Sequence, residues 1–167
     1  MLLRRKLRIR GMAALAAISC TPLAIQPGLA DGGEWLCLSE TRGNGPEVAR
    51  LPLKPDGIFS LSFIHSVSDT PVTDIYRVED GKIEQIAEIF EAHGAGLPSI
   101  ADDVGATGWR HENGRFIIEM TRPTGPIPLR IQAQFENTLH VAGTDLPLAD
   151  LGYSALTLAR CDEERPH

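Results

Sequence analysis

Beyond its first thirty residues the chain lacks any long hydrophobic run, internal repeat, low-complexity tract or basic stripe. Without about 20 consecutive apolar residues there is no ordinary membrane-spanning helix. Without repeats or a compositional break, 167 residues allow one domain, because single domains commonly hold about 100 to 200. Aromatics make up only 5% of the chain, and none sits within a cluster of Lys and Arg. Base stacking beside phosphate contacts, the usual basis of nucleic-acid binding, therefore has no residues to carry it.

Catalytic and cofactor signatures are missing as well. There is no Gly-x-Ser-x-Gly turn, no close Cys-x-x-Cys pair and no His-x-x-x-His or His-Glu-x-x-His ligand spacing. No cofactor and no metal site is expected. His65, His93, His111, Asp74 and Glu88 are scattered rather than spaced as ligands. His111 falls on a hairpin face beside an aromatic, and His140 is expected to point outward.

The start of the chain reads as a leader. Arg4, Arg5, Lys6, Arg8 and Arg10 form a basic segment, and Gly11 to Ile25 is apolar but short for a bilayer. Pro27, Gly28 and Ala30 then supply a helix break and small residues, which favours cleavage after Ala30. Lipidation at Cys20 and an uncleaved, short anchor are the alternatives, although for lipidation Ala17 stands where Leu is usual and apolar residues continue past the cysteine. A periplasmic or secreted location follows as an expectation. Removing the leader's five basic charges leaves 11 Lys and Arg against 22 Asp and Glu, a net of −11. Such a surface repels phosphate backbones and anionic lipid.

Two cysteines remain, Cys37 and Cys161. In an oxidising compartment an even pair is most simply a disulfide, here tying the first strand to the last.

Strand signals fill the rest. Trp35 to Ser39, Val48 to Leu53 and Ile58 to His65 read as strands, the last with Phe59, Leu61, Phe63 and His65 on one face. Asn113-Gly114 predicts a type I′ hairpin pairing Glu112 with Arg115, which places Trp109, His111, Phe116 and Ile118 on a shared face. Leu129, Ile131, Ala133 and Phe135 alternate as in a strand, and Thr138 to Ala142 and Ser154 to Cys161 supply others. Arg122 to Pro128 and Gly143 to Asp150 read as connections. Lys82 to His93 is ambiguous. The Asp80-Gly81 turn favours a hairpin strand, yet Ile83, Ile86, Ala87 and Phe90 also fit helical spacing, with Glu84, Glu88 and Glu91 on its polar side. The β context tips it to strand. An all-β antiparallel sandwich or small open barrel of about 8 to 10 short strands is expected.

Two features could form a site. His65-Ser66 invites a hydrolase reading with Asp69 or Asp74, but consecutive strand residues face opposite ways, so His65 cannot deprotonate Ser66 unless the strand has already bent. A structural histidine bracing a turn of Ser66, Ser68, Asp69 and Thr70 is the preferred reading. Gly94-Ala95-Gly96-Leu97-Pro98 lacks the Lys-Ser/Thr of a phosphate loop, though its backbone amides could cradle a ligand carboxylate. The candidate binding rim comprises His65, Ser66, Asp74, Tyr76, Gly94, Gly96 and Pro98.

His65-Ser66-Val67, then Pro71-Val72-Thr73-Asp74-Ile75-Tyr76, then Gly94 to Pro98 together resemble a bacterial family of small exported proteins. That family is known as a domain of unknown function, number eighteen-fifty. Asp74 stands where the family usually has Glu, and His93 where an aromatic is common, which alters any pocket they line. The resemblance implies no established activity, and it favours strand over helix for Lys82 to Phe90. Genes of the family often lie beside tripartite ATP-independent periplasmic (TRAP) transporters of the TAXI type. It therefore implies a transporter subunit or a small-molecule solute as partner, for an accessory or ligand-handling β-domain. A small hydrolase using His65, or a purely structural envelope protein, are the alternatives.

Overall fold

A computed structural model of the chain describes residues 33–41, 45–92 and 105–161. The segment expected to be a leader, with Cys20 and Ala30, lies outside the described residues. The described part is an antiparallel β-sandwich. One sheet has four strands in the order β2-β1-β11-β8, and the other has seven in the order β10-β9-β3-β4-β5-β7-β6. The strands are β1 (Trp35–Glu40), β2 (Glu47–Pro52), β3 (Ile58–Ile64), β4 (Pro71–Glu79), β5 (Lys82–Phe90), β6 (Ala106–Glu112), β7 (Arg115–Pro123), β8 (Ile127–Arg130), β9 (Thr138–Val141), β10 (Thr144–Pro147) and β11 (Ala155–Arg160).

Alternation with period two decides which face each strand buries. Leu36 and Leu38 of β1 and Leu156 and Leu158 of β11 are fully buried from the smaller sheet. They share a core with Phe59, Leu61, Tyr76, Val78, Ile83, Leu139 and Val141 of the larger one. Phe59 and Tyr76, cross-strand partners on β3 and β4, stack with ring centroids 5.2 Å apart. Each such side chain contributes roughly 1.5–3 kcal/mol by leaving water. A second, smaller cluster holds Val72, Phe90, Ile118 and Met120.

Turn chemistry sets the registers. At Gly57, φ is +65°, and a Cβ there would lie 2.3 Å from the carbonyl oxygen of Val78. Only glycine fits this turn between β2 and β3. Asn113-Gly114 makes the expected hairpin, with Glu112 opposite Arg115 and His111 opposite Phe116. Asp80-Gly81 joins β4 to β5 in the same way, so Lys82–Phe90 is a strand.

That Ile83 and Phe90, seven residues apart, share a face as they would in a helix has a physical cause. The β4–β5 register runs Ile75 to Ala87 but Tyr76 to Gln85, leaving Ile86 as an extra residue. This bulge shifts the alternation, so that Ile83, Gln85, Glu88 and Phe90 all face inward. Glu88, on the polar side of the helical alternative, is 7% exposed.

Three expectations need correction. The alternation at Leu129, Ile131, Ala133 and Phe135 does not continue as a strand: β8 ends at Arg130, and Ala133–Phe135 is a 3-10 turn. Past Arg130 the partner strand β11 has run out, and the chain turns toward the other sheet. The connection at Gly143 to Asp150 contains a strand, β10, joined to β9 through Ala142-Gly143 with both φ angles positive. Alanine in that left-handed conformation gives no sequence signal of the turn, since it is disfavoured there. The connection at Arg122 to Pro128 is also shorter than expected, with β7 reaching Pro123 and β8 starting at Ile127.

Cys37 and Cys161 form a disulfide across a sequence separation of 124 residues. It joins β1 to the residue after β11, and Cys161 N donates to Trp35 O at 2.8 Å. Closing a loop of that size stabilises by about 4–5 kcal/mol on the chain-entropy model. The Cys37→Ala/Cys161→Ala double variant should therefore lose about that much unfolding free energy in urea titration. A loss under about 1 kcal/mol contradicts the assignment. Ala142→Gly should raise stability by about 1 kcal/mol, because it removes the Cβ penalty at φ +51°. A fall in the urea midpoint contradicts that turn geometry.

Candidate functional site

The bulge in β5 gives the sandwich a polar interior band. Asp74 and Tyr76 face inward from β4, Gln85 and Glu88 from β5, and Arg122 from β7. Asp74 lies opposite Glu88, Tyr76 opposite Gln85, and Gln85 opposite Arg122. The Tyr76 hydroxyl donates to Asp74 Oδ2 at 3.3 Å, and Gln85 Nε2 donates to Asp74 Oδ1 at 3.1 Å. Arg122 Nη1 donates to Gln85 Oε1 at 3.3 Å. Among the described residues, no buried side-chain nitrogen or oxygen lacks a partner. The band separates the two hydrophobic clusters.

A cleft of about 310 Å³ opens onto this band between β8 and the inner face of β3 and β4. Leu61, Phe63, Leu129 and Leu148 form its apolar wall, with Asp74, Tyr76, Arg130 and Asn137 as polar groups. Desolvation raises the Asp74 carboxyl to about 6, against the opposing effects of the Tyr76 hydrogen bond and the Arg122 charge. Burial, then the neighbouring Asp74 carboxylate, pushes the Tyr76 phenol above its usual range. A cleft of this kind accepts hydrogen bonds at one end and apolar surface at the other.

Of the sequence candidates, Asp74 and Tyr76 come together here. His65 and Ser66 do not join them. Asp74 pairs with Leu61, and His65 lies four residues further on, about 13 Å along a strand. His65 N donates to Thr70 O, and its Nδ1 accepts from Ser68 N at 3.3 Å and lies 3.1 Å from Ser68 Oγ. Ser68 Oγ in turn lies 2.8 Å from Thr70 Oγ1. These contacts all fall within one turn, and Ser66 is exposed on it. His93, Gly94, Gly96 and Pro98 lie outside the described residues.

Gln85, Glu88 and Arg122 were not anticipated in this role: the bulge is what puts Gln85 and Glu88 on one side, and Arg122 fell in an expected connection although it continues the inward row of Ile118 and Met120 on β7. A second constellation was also missed, on the outer face: Ser62 and Asp145, each in hydrogen-bond reach of His140. His140 does point to that outer face, half-buried. His111 stacks on Phe116, with ring centroids 4.5 Å apart. Among the described residues, the group of possible metal ligands within mutual reach is Cys37, Glu47 and Cys161. Its cysteines are joined as a disulfide, leaving no thiolate, and Glu47 pairs with Arg50 at 2.9 Å.

The raised Asp74 value has a definite sign. Folding raises its pKa from 3.8 to about 6, so the folded state holds more protons between those values. Stability from this group is present below about pH 4 and is lost as pH rises through 6, by up to about 3 kcal/mol. Asp74→Asn should remove this component. Denaturation at pH 4, 5, 6 and 7 checks it, and an unchanged pH slope in the variant contradicts the buried carboxyl.

The family model described as Domain of unknown function (DUF1850) matches residues 59–148. No curated protein and no solved structure matches the chain. The matched span takes in the polar band, the turn at His65 and the outer-face constellation, while both disulfide cysteines fall outside it. With more than half of its length covered by that model, the chain belongs to the DUF1850 family.

Proposed function

We propose that this chain is an exported accessory β-sandwich that handles a small solute for a membrane transporter, binding it in the cleft at Asp74 and Tyr76. The observation that carries the reading is the convergence of Asp74, Tyr76, Arg130 and Asn137 on one apolar-walled cleft. Small-molecule sites combine apolar walls with a few fixed polar groups in this way. Keeping a carboxyl desolvated at such a place also opposes folding near neutral pH, which is a common mark of functional sites.

The ligand chemistry follows from the groups present. A solute with an ammonium or other donor head would meet Asp74, its apolar body would lie along Leu61, Phe63 and Leu129, and an anionic end would meet Arg130. A zwitterion with an aliphatic or aromatic side chain has this pattern. Export is supported by the basic-then-apolar start of the chain. The transporter link is supported by the resemblance to a family whose genes often lie beside TAXI-type TRAP transporters, and a periplasmic location goes with it. The structural reading of His65 is supported by its contacts within the turn, which leave the hydrolase alternative at that residue without a specific observation in its favour.

Thermal-shift titration of the mature chain with apolar and polar amino acids, polyamines and dicarboxylates tests the reading. A ligand at 100 times its Kd adds about 2.7 kcal/mol, or a rise of several degrees in Tm. An apolar amino acid should give that rise in the wild type and not in Asp74→Asn/Tyr76→Phe. An equal shift in both proteins, or no shift together with unaltered uptake by the neighbouring transporter in a deletion strain, sinks the proposal and leaves the structural envelope role.

A further inference from the structure

We propose a second site, which shares only Ser62 with the lining of the cleft: Ser62, His140 and Asp145 form a nucleophilic relay for acyl transfer on the outer face of the seven-stranded sheet. It goes beyond solute handling and does not depend on it. Strands β10, β9 and β3 are neighbours at one edge of that sheet. Leu139 and Val141 are buried inward, so His140 between them points out. Asp145 is its direct partner in the β9–β10 register. Ser60 is its direct partner on β3, which leaves Ser62 one diagonal step away on the same face.

The distances are those of a relay. His140 Nδ1 lies 2.7 Å from Asp145 Oδ1, and His140 Nε2 lies 2.7 Å from Ser62 Oγ. A ring nitrogen facing a carboxylate oxygen carries the proton, so Nδ1–H donates to Asp145. Nε2 then holds the lone pair and accepts from the Ser62 hydroxyl. This is the tautomer that a general base requires, with nucleophile, base and orienting acid in order.

His140 and Asp145 line an open depression of about 310 Å³ together with Ile58, Thr73 and Ile75, and Ser62 adjoins it through its partners Thr73 and His140. It suits a short carboxylic ester. Ser62 lies inside β3, which pairs with β4 and β9 on its two sides, so its own amide belongs to the ladder and cannot serve an oxyanion. The donor on hand is a side chain: Thr73, directly opposite Ser62. In the reaction Ser62 Oγ bonds to the ester carbonyl carbon while its proton passes to His140 Nε2. The carbon–oxygen bond to the alcohol then breaks, and the imidazolium returns the proton to that oxygen. Water repeats the sequence on the acyl-Ser62, releasing the carboxylate and restoring the hydroxyl. Side-chain exposure of 35% for His140 and 76% for Asp145 admits that water. It also weakens the pair by solvent screening, so turnover is slow.

The test is labelling of the purified mature chain with a fluorophosphonate, with peptide mass spectrometry and p-nitrophenyl acetate hydrolysis in parallel. The expected result is one adduct on Ser62, lost in Ser62→Ala, with labelling at least 100-fold slower in His140→Gln and at least 10-fold slower in Asp145→Asn. Unfolding midpoints of the variants confirm that each is folded. Absence of a Ser62 adduct in the folded wild type, or an adduct forming equally fast in folded His140→Gln, overturns the relay.

Discussion

Strand β5 carries one residue more than its partners can pair, and the slip of the side-chain period at Ile86 directs both Gln85 and Glu88 into the sandwich. Without the bulge, one of the two would face solvent. With it, an inward row that starts at Ile83 and ends at Phe90 has polar groups between its apolar ends. Arg122 and Asp74 flank that row from the neighbouring strands. The hydrophobic interior is thereby divided, and the cleft opens where the division meets the edge strand β8. The bulge reaches the candidate site through Gln85, whose Nε2 donates to Asp74 Oδ1, while Asp74 and Tyr76 face inward by the plain alternation of β4.

The division has an energetic side. Hydrogen bonds satisfy the band, yet they return only part of what desolvating a carboxyl costs. The large cluster around Leu36, Leu38, Leu156 and Leu158, with the Cys37–Cys161 tie, is what offsets it. Stability is concentrated where the two sheets face each other, and the polar chemistry sits where the smaller sheet gives out. This arrangement lets a small domain carry a strained interior group without losing its fold.

Strand positions were readable because alternation and Gly-containing turns act locally. Asn113-Gly114 and Asp80-Gly81 announce their hairpins, whereas Ala142-Gly143 does not, and β10 was hidden with it. The disulfide was legible from the even pair of cysteines, Cys37 and Cys161, that follows the segment expected to be a leader. Asp74 and Tyr76 stood out as rim candidates within the Pro71 to Tyr76 motif, but their partners on β5 did not, since a bulge is set by pairing between strands. Ser62 and His140 are separated by 78 residues and meet only through the β3–β9 register. No local pattern encodes that adjacency. His65, the conspicuous histidine, proved to be occupied in its own turn.

The account rests on the band being retained for binding rather than for folding. The most direct measurement is the unfolding free energy at pH 7 of a chain whose band is made apolar: Asp74→Leu, Tyr76→Phe, Gln85→Met, Glu88→Met and Arg122→Met together. A band kept for function leaves stability unchanged or raises it by about 1–4 kcal/mol, while solute binding disappears. A loss of about 3 kcal/mol or more would show instead that these residues hold the two sheets together, and the claim would be wrong.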